Sequence, residues 1–385
     1  MYRCYLFFLI VLSSCVEPFE ATTEEFESAL VIDALITNEL KFQTISLTRT
    51  YRFEEEPEGE TNAIVSISGD DGEEYNFNES SPGIYVSSIM FNAKPNVNYE
   101  LSITTSAGSS YVSKPTLLTK SLAMDDLYAS VVTNDQNVEG VSIMVDTFDP
   151  QAESLYYRFD YEETYKIVAP NWNPQDLYIV SETPPILGFE IRPREEEVCY
   201  NTVNSIKIIL ANTSGFTEDR LSGFQVRFIG RDDYIIGHRY SILVKQYVIS
   251  REAHAFYKTL SELSGLESIF SENQPGFFNG NIVAQNDPRE KVIGFFDVSA
   301  VNQERIFFNH QDFFPDDLIP AYPNDCFVTN PVISEVINGV RFNNIKFFGV
   351  PGPDEPRDGP YKVVPRVCGD CTVLGDSEIP DFWIE

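Results

Sequence analysis

The chain has 385 residues, with 59 acidic against 27 basic side chains and a formal net charge of -32. Such an excess leaves no basic surface for nucleic acid or for an anionic membrane. The acidic residues are spread along the chain, so they read as colloidal repulsion on an exposed surface rather than as a cation-binding tract. Tyr, Phe, Val, Ile and Thr dominate the patterned segments, which favours strands.

Arg3 is the only charge before the apolar run Tyr5–Leu12. That run is far shorter than the roughly 20 residues of a transmembrane helix and has the length of a signal-peptide core. Leu12-Ser13-Ser14-Cys15 follows directly and resembles the lipobox of bacterial lipoproteins. Small residues at the cut suit the signal peptidase, and the thiol accepts the lipid. Residues 1–14 are therefore expected to be a lipoprotein signal, Cys15 the lipidation site, and the acidic, aperiodic stretch 15–28 a tether. Several acyl chains on one cysteine would hold the protein on a membrane where a single chain would not.

From Ala29 the pattern changes to short alternating runs. "LVIDALITN", "QTISLTRTY", the hairpin "AIVSISGDDGEEYNF" with its Asp70-Asp71-Gly72 turn, "GIYVSS" and "NYELSITTSAGSSYVSK" predict an amino-terminal β-sandwich of the immunoglobulin or fibronectin kind over 29–118. A larger β-rich domain is expected over 119–385, so the whole reads as all-β, mainly antiparallel, with minor helix. In it "GVSIMVDTF" and "SLYYRFDYEETYKIV" flank a turn at Asp149-Pro150. The Pro-rich and polar stretch Pro170–Glu197 reads as a long surface loop. Within that loop Trp172 lies between two asparagines and is the candidate contact for a ligand or partner, since an exposed aromatic can stack on a sugar face or anchor a protein. Ser250 is placed to cap a helix over 250–264, on which Ala253, Phe256, Tyr257, Leu260 and Leu263 share one face. The tail from Phe314 is Pro-rich and reads as loop.

Chemistry-bearing patterns are few. The three histidines have no metal-ligand spacing, and His254 is expected to be solvated on the helix. No nucleophile elbow, phosphate loop or dinucleotide fingerprint occurs. Glu162-Glu163 and Asp316-Asp317 have the residue types of a glycosidase pair, but pairs of this kind arise by chance in so acidic a chain. Asp70, Asp71 and Glu73 cluster at a tight turn without the ligand pattern of a calcium loop. No catalytic residue, metal ligand or cofactor is assigned. Cys368-Gly369-Asp370-Cys371 has redox spacing, yet no helical pattern follows it to lower a thiol pKa. In an exported chain Cys199, Cys326, Cys368 and Cys371 are read as structural disulfides. A Cys368–Cys371 bridge would close a very small loop, so each terminal cysteine is expected to reach a different upstream one; two pairings remain open.

Several of these stretches, with "VDTFDPQAESLYYRFDYEET", "LVKQYVISREAHAFYKTL", "GNIVAQNDPREKVIGFFDVSAV" and "CGDCTVLGDSEIPDFW", resemble in their order the family called domain of unknown function 4249 (DUF4249). The resemblance implies an outer-membrane lipoprotein of Bacteroidetes with an amino-terminal β-sandwich, encoded near TonB-dependent receptors. It carries no catalytic residues. The expectation is a non-enzymatic, lipid-anchored accessory of a TonB-dependent transport system, with a TonB-dependent receptor as partner and no nucleic-acid partner. The alternatives are a surface hydrolase with an unrecognised site and a structural or adhesion lipoprotein.

Overall fold

The computed structural model describes residues 29–50, 58–264, 280–287, 290–353 and 358–385. Cys15 and the tether lie outside the described residues. The first segment contains β1 (Leu30–Thr37), β2 (Thr44–Arg49), β3 (Ile64–Gly69), β4 (Glu74–Ser81), β5 (Ile84–Ser87), β6 (Asn98–Thr104), β7 (Ser110–Ser113) and β8 (Thr116–Leu117). The second begins with β9 (Asp126–Thr133), β10 (Glu139–Asp149), β11 (Tyr156–Val168), β12 (Gln175–Glu182), β13 (Pro185–Ile191), β14 (Val198–Asn204), β15 (Ile209–Asn212), β16 (Asp219–Gly230) and β17 (Arg239–Val248). It continues with α1 (Arg251–Ser264), β18 (Ile282–Ala284), β19 (Val292–Asn309), α2 (Ile333–Arg341), β20 (Ile345–Gly349), β21 (Lys362–Pro365) and α3 (Arg366–Gly369).

The protein is all-β, mainly antiparallel, with few helices. One continuous sheet runs β14-β11-β17-β19-β1-β2-β5-β4-β3-β6-β7-β18. Its single parallel pairing among the described residues joins β1 to the first half of β19, Leu30 opposite Val292 through Thr37 opposite Ser299. The second half of β19 pairs antiparallel with β17. Alternation along β1 turns Leu30, Ile32, Ala34 and Ile36 into the first core, as a period of two requires.

That first core also takes Ile282, Ala284, Val292, Phe296 and Val298, so residues placed by sequence with the larger domain complete the amino-terminal sandwich. Closure relies on one side chain. Asn281 Nδ2 donates to the Phe296 carbonyl at 2.8 Å, and the Phe296 N–H donates to Asn281 Oδ1 at 2.7 Å. The amide thus stands in for a strand partner and returns the end of the sheet to β19. The backbones touch here: a Cβ on Gly280 would lie 1.5 Å from the Gly294 carbonyl oxygen.

A second sandwich packs β9, β10 and β16 against β11, β17 and the end of β19, with Val141, Ile143, Phe159, Ile229, Ile242 and Val244 between them. Buried Glu163 ties the two layers, accepting Arg227 Nε and Nη2 at 3.0 and 3.1 Å and the Tyr240 hydroxyl at 2.6 Å. Thr119, at the expected domain boundary, donates to the Val248 carbonyl at 2.6 Å and accepts the Ala300 N–H at 2.8 Å. The boundary is therefore fastened where β19 changes partner.

Two sequence expectations are corrected. Pro170–Glu197 is not a loop: β12 and β13 form a hairpin there. Exposed apolar residues on its open side hid the alternation, but Leu177 and Leu187 point into a small core with Val336, Ile337, Phe347 and Val363. The other members of that core show that the tail after Phe314 is also structured, as α2, β20 and β21. Cys199 is joined to Cys371 and Cys326 to Cys368, which selects one of the two open pairings. Between the bridges, Lys346 Nζ lies 2.9 Å from Asp176, 3.6 Å from Glu196 and 3.8 Å from Asp370, and Arg366 Nε lies 2.8 Å from Asp370.

Gly280→Ala should cost roughly 3 kcal/mol through forced backbone separation, read as a fall in the urea midpoint at unchanged slope. Asp149 supplies a pH signature. Burial alone would raise its carboxyl, but Lys120 and the N–H groups of Gln151 and Glu153 hold it down at about 2 against an ordinary 3.8. A depressed carboxylate contributes stability above its unfolded pKa and loses it as pH falls through the folded one. Asp149→Asn should therefore destabilise by about 1.5–3 kcal/mol at neutral pH. The difference from the parent should shrink between pH of about 4 and 2, as unfolding curves at several pH values would show.

Candidate functional site

The face of the sheet opposite the two sandwich cores is covered by α1. Ser250 starts the helix, its Oγ accepting the Ala253 N–H at 3.0 Å. Ala253, Phe256 and Tyr257 then pack onto Tyr247 of β17 and Phe295 and Val301 of β19. Beside the helix a cavity of about 330 Å³ opens. Its walls come from β1, β11, β19, α1 and the short connection between β14 and β15. That connection exists because both strands pair with β11 on the same edge, leaving 205–208 to bulge outward. Ser205 fixes the bulge by donating its N–H to the Tyr161 carbonyl at 2.8 Å and accepting the Tyr161 N–H at 3.1 Å.

The walls are largely apolar, with Val31, Ile208, Phe256, Leu260 and Phe295 among them. Ile206, also on the wall, is 95 % exposed. One cation sits within. Arg158 has only 12 % of its side chain exposed and donates from Nη2 to Asp160 at 3.0 Å. Its guanidinium carbon lies 4.6 Å from the Tyr247 ring centre and 4.8 Å from that of Tyr257, within the range of cation–π attraction. Nε is buried without an acceptor. The Tyr247 phenol oxygen also lies within hydrogen-bonding reach of the guanidinium.

Electrostatics in this region are strongly perturbed. Burial opposes the Arg158 charge, but Tyr257, Asp160, Asp297 and Tyr247 more than offset it and its pKa lies above the ordinary value. Asp297 is buried behind the wall; desolvation pushes its carboxyl up, against Arg158 and the Ser299 hydroxyl, which donates at 2.7 Å. Burial likewise raises the Tyr257 and Tyr247 phenols. Buried, charge-coupled groups beside an apolar cavity mark a candidate binding site.

The residues singled out from sequence lie elsewhere. The four cysteines are spent in the two bridges that hold the tail. Trp172 is half-buried against the second core, and its indole nitrogen is buried without a partner; it is not a free platform. Trp383 docks the carboxy-terminal residues, its ring edge-on to Tyr200 and Phe307. His254 is half-buried with its ring against Tyr156. Asp70 and Asp71 hold the turn, Asp70 accepting Asn98 Nδ2 at 2.7 Å and Asp71 pairing with Lys94 at 3.2 Å. In the carboxylate pairs, Glu162 meets Arg305, Glu163 meets Arg227 and Asp317 meets Arg231. No cluster of metal-binding side chains occurs among the described residues, and no described helix is long and apolar enough to cross a membrane. Sequence reasoning missed Arg158, Tyr247, Tyr257 and Asp297. The available signal was Asp297, an acid inside the apolar run "VIGFFDVSAV".

Fold and site together describe a β-protein of two fused sandwiches with a cavity at their junction. The chain belongs to the family described as Domain of unknown function (DUF4249), whose model matches residues 16–305 and so includes every wall of the cavity. No curated protein matches the chain.

Arg158→Met should leave Asp160 and Asp297 without their cation and destabilise by about 3–5 kcal/mol. Chemical denaturation of the variant beside the parent would measure it.

Proposed function

We propose that the protein is a non-enzymatic, lipid-anchored binding component of an outer membrane, an accessory to a TonB-dependent transport system whose ligand occupies the cavity beside α1. The cavity carries the binding part of this reading. It is mostly apolar, it contains one buried guanidinium, and of the two hydroxyl-bearing side chains on its wall, Ser205 and Tyr257, the first is engaged with the Tyr161 backbone. Such a wall favours holding a molecule over transforming it. The anchor rests on Leu12-Ser13-Ser14-Cys15 after a short apolar run. The transporter partnership rests on the resemblance to DUF4249 lipoproteins, and acidic rather than basic composition speaks against nucleic acid as partner.

Cell fractionation and affinity purification test the reading. The parent should pellet with the outer membrane and co-purify with a TonB-dependent receptor from mild detergent, whereas Cys15→Ala should leave the membrane fraction. A Cys15→Ala chain that still pellets removes the anchor. Saturable turnover of a glycan or peptide panel by the purified protein removes the non-enzymatic assignment, and a receptor-free pull-down removes the transporter.

A further inference from the structure

We propose that the cavity beside α1 binds an aliphatic carboxylic acid, with the carboxylate on the Arg158 guanidinium and the chain against Val31, Phe256, Leu260 and Phe295. This rests on reading the cavity as a binding site, but not on the membrane anchor or the receptor.

Four observations select the ligand chemistry. First, the guanidinium is only partly used. Nη2 is committed to Asp160, while Nε is buried and faces no acceptor. A planar carboxylate matches that geometry, and hydrogen bonds between charged groups are the strong ones. Second, the remaining wall is hydrocarbon and aromatic. It rewards a ligand whose body is apolar, because that surface is withdrawn from water on binding. Third, Ile206 stands in water at 95 % exposure on the wall. An apolar ligand gives that side chain a partner. Fourth, the volume of about 330 Å³ falls at the small end of the roughly 300–1,000 Å³ of small-molecule sites.

Competing chemistries fit less well. A phosphate dianion would need a second buried cation, but the other cation on the wall, Lys207, is exposed. An amine would enter beside Arg158 and Lys207, and of the two carboxylates on the wall Asp160 already serves Arg158. Asp33 is exposed and so is well solvated without a ligand. A sugar would bury several hydroxyls against walls whose polar groups are mostly engaged, which costs free energy for each unpaired group. The net charge of -32 repels an anion at long range. That term is screened at physiological ionic strength, where the Debye length is about 8 Å, so it slows capture more than it weakens the contact.

Calorimetric titration of the full chain carrying Cys15→Ala, which needs no detergent for an acyl anchor, tests the assignment in 0.15 M salt. The probes are decanoate, decan-1-ol and decylamine. Decanoate should bind at least about tenfold more tightly than the alcohol, the size of one charged hydrogen bond, and the amine should bind most weakly. Leu260→Trp, which fills the cavity, should reduce decanoate binding at least tenfold while circular dichroism and Tm stay near the parent values. Arg158→Lys should narrow the gap between acid and alcohol; if that variant does not fold, Leu260→Trp and the probe order still decide. If acid and alcohol bind equally and Leu260→Trp abolishes both, the cavity stands as a binding site and the acid assignment falls. If none of the three binds, or if Leu260→Trp leaves decanoate binding unchanged, the cavity reading falls with it.

Discussion

Strand β19 is 18 residues long and changes partner at Ala300, leaving β1 and taking up β17. From Phe295 to Val301 it is buried on both faces. Phe296 feeds the first core and Phe295 the helix side. Two sandwiches that share one strand cannot hinge freely, because bending them apart would break a ladder in mid-strand. The parallel pairing with β1 also joins segments more than half the chain apart. Its loop-closure entropy must be met before the contact rewards it, so the junction depends on the cores that β1 and β19 bury on either side.

The cavity follows from that junction by geometry. The face beneath α1 presents β11, β17, β19 and β1 side by side, about 4.8 Å apart. A helix with its side chains is about 10–12 Å across, too narrow to cover four strands. What it leaves uncovered is the floor and wall of the cavity. Arg158 sits in that uncovered margin. Charge pairing in a buried place is a weak source of stability, since a well-packed apolar residue often serves equally well. Stability therefore gives little reason for a guanidinium between two tyrosines, and that lends weight to a role in contact with a ligand.

Beyond residue 305, where the family match ends, the chain is held differently. Its core of Val336, Ile337, Phe347 and Val363 with the β12–β13 hairpin is small, and small cores bury too little surface to stand alone. Covalent and ionic ties supply the remainder. Cys199–Cys371 anchors the tail to β14, Cys326–Cys368 closes it on itself, and Lys346 with Arg366 gathers Asp176, Glu196 and Asp370 between the bridges. Those cysteines were legible as structural because the chain was expected to be exported and no helical pattern follows Cys371 to activate a thiol. Which upstream cysteine each one meets was not legible, because it is set by the register of β14 against the tail.

The strands of the first sandwich were legible for the same kind of reason: each has one buried and one solvated face, and alternation reports that directly. The β12–β13 hairpin was not, since Tyr178, Val180 and Ile186 lie exposed on its open side and blur the alternation. The site failed more instructively. In "SLYYRFDYEETYKIV" Tyr157 and Phe159 point into the second core, so Tyr156, Arg158 and Asp160 fall on the opposite face. By periodicity alone that face is the solvent face, where an arginine needs no explanation. Only the later helix, folded back from residue 251, converts it into an interior. Alternation says which side chains share a face, but whether a second layer covers that face depends on contacts between residues nearly a hundred positions apart. The functional weight of Arg158 lies in that distant contact, and no local pattern in its own strand records it.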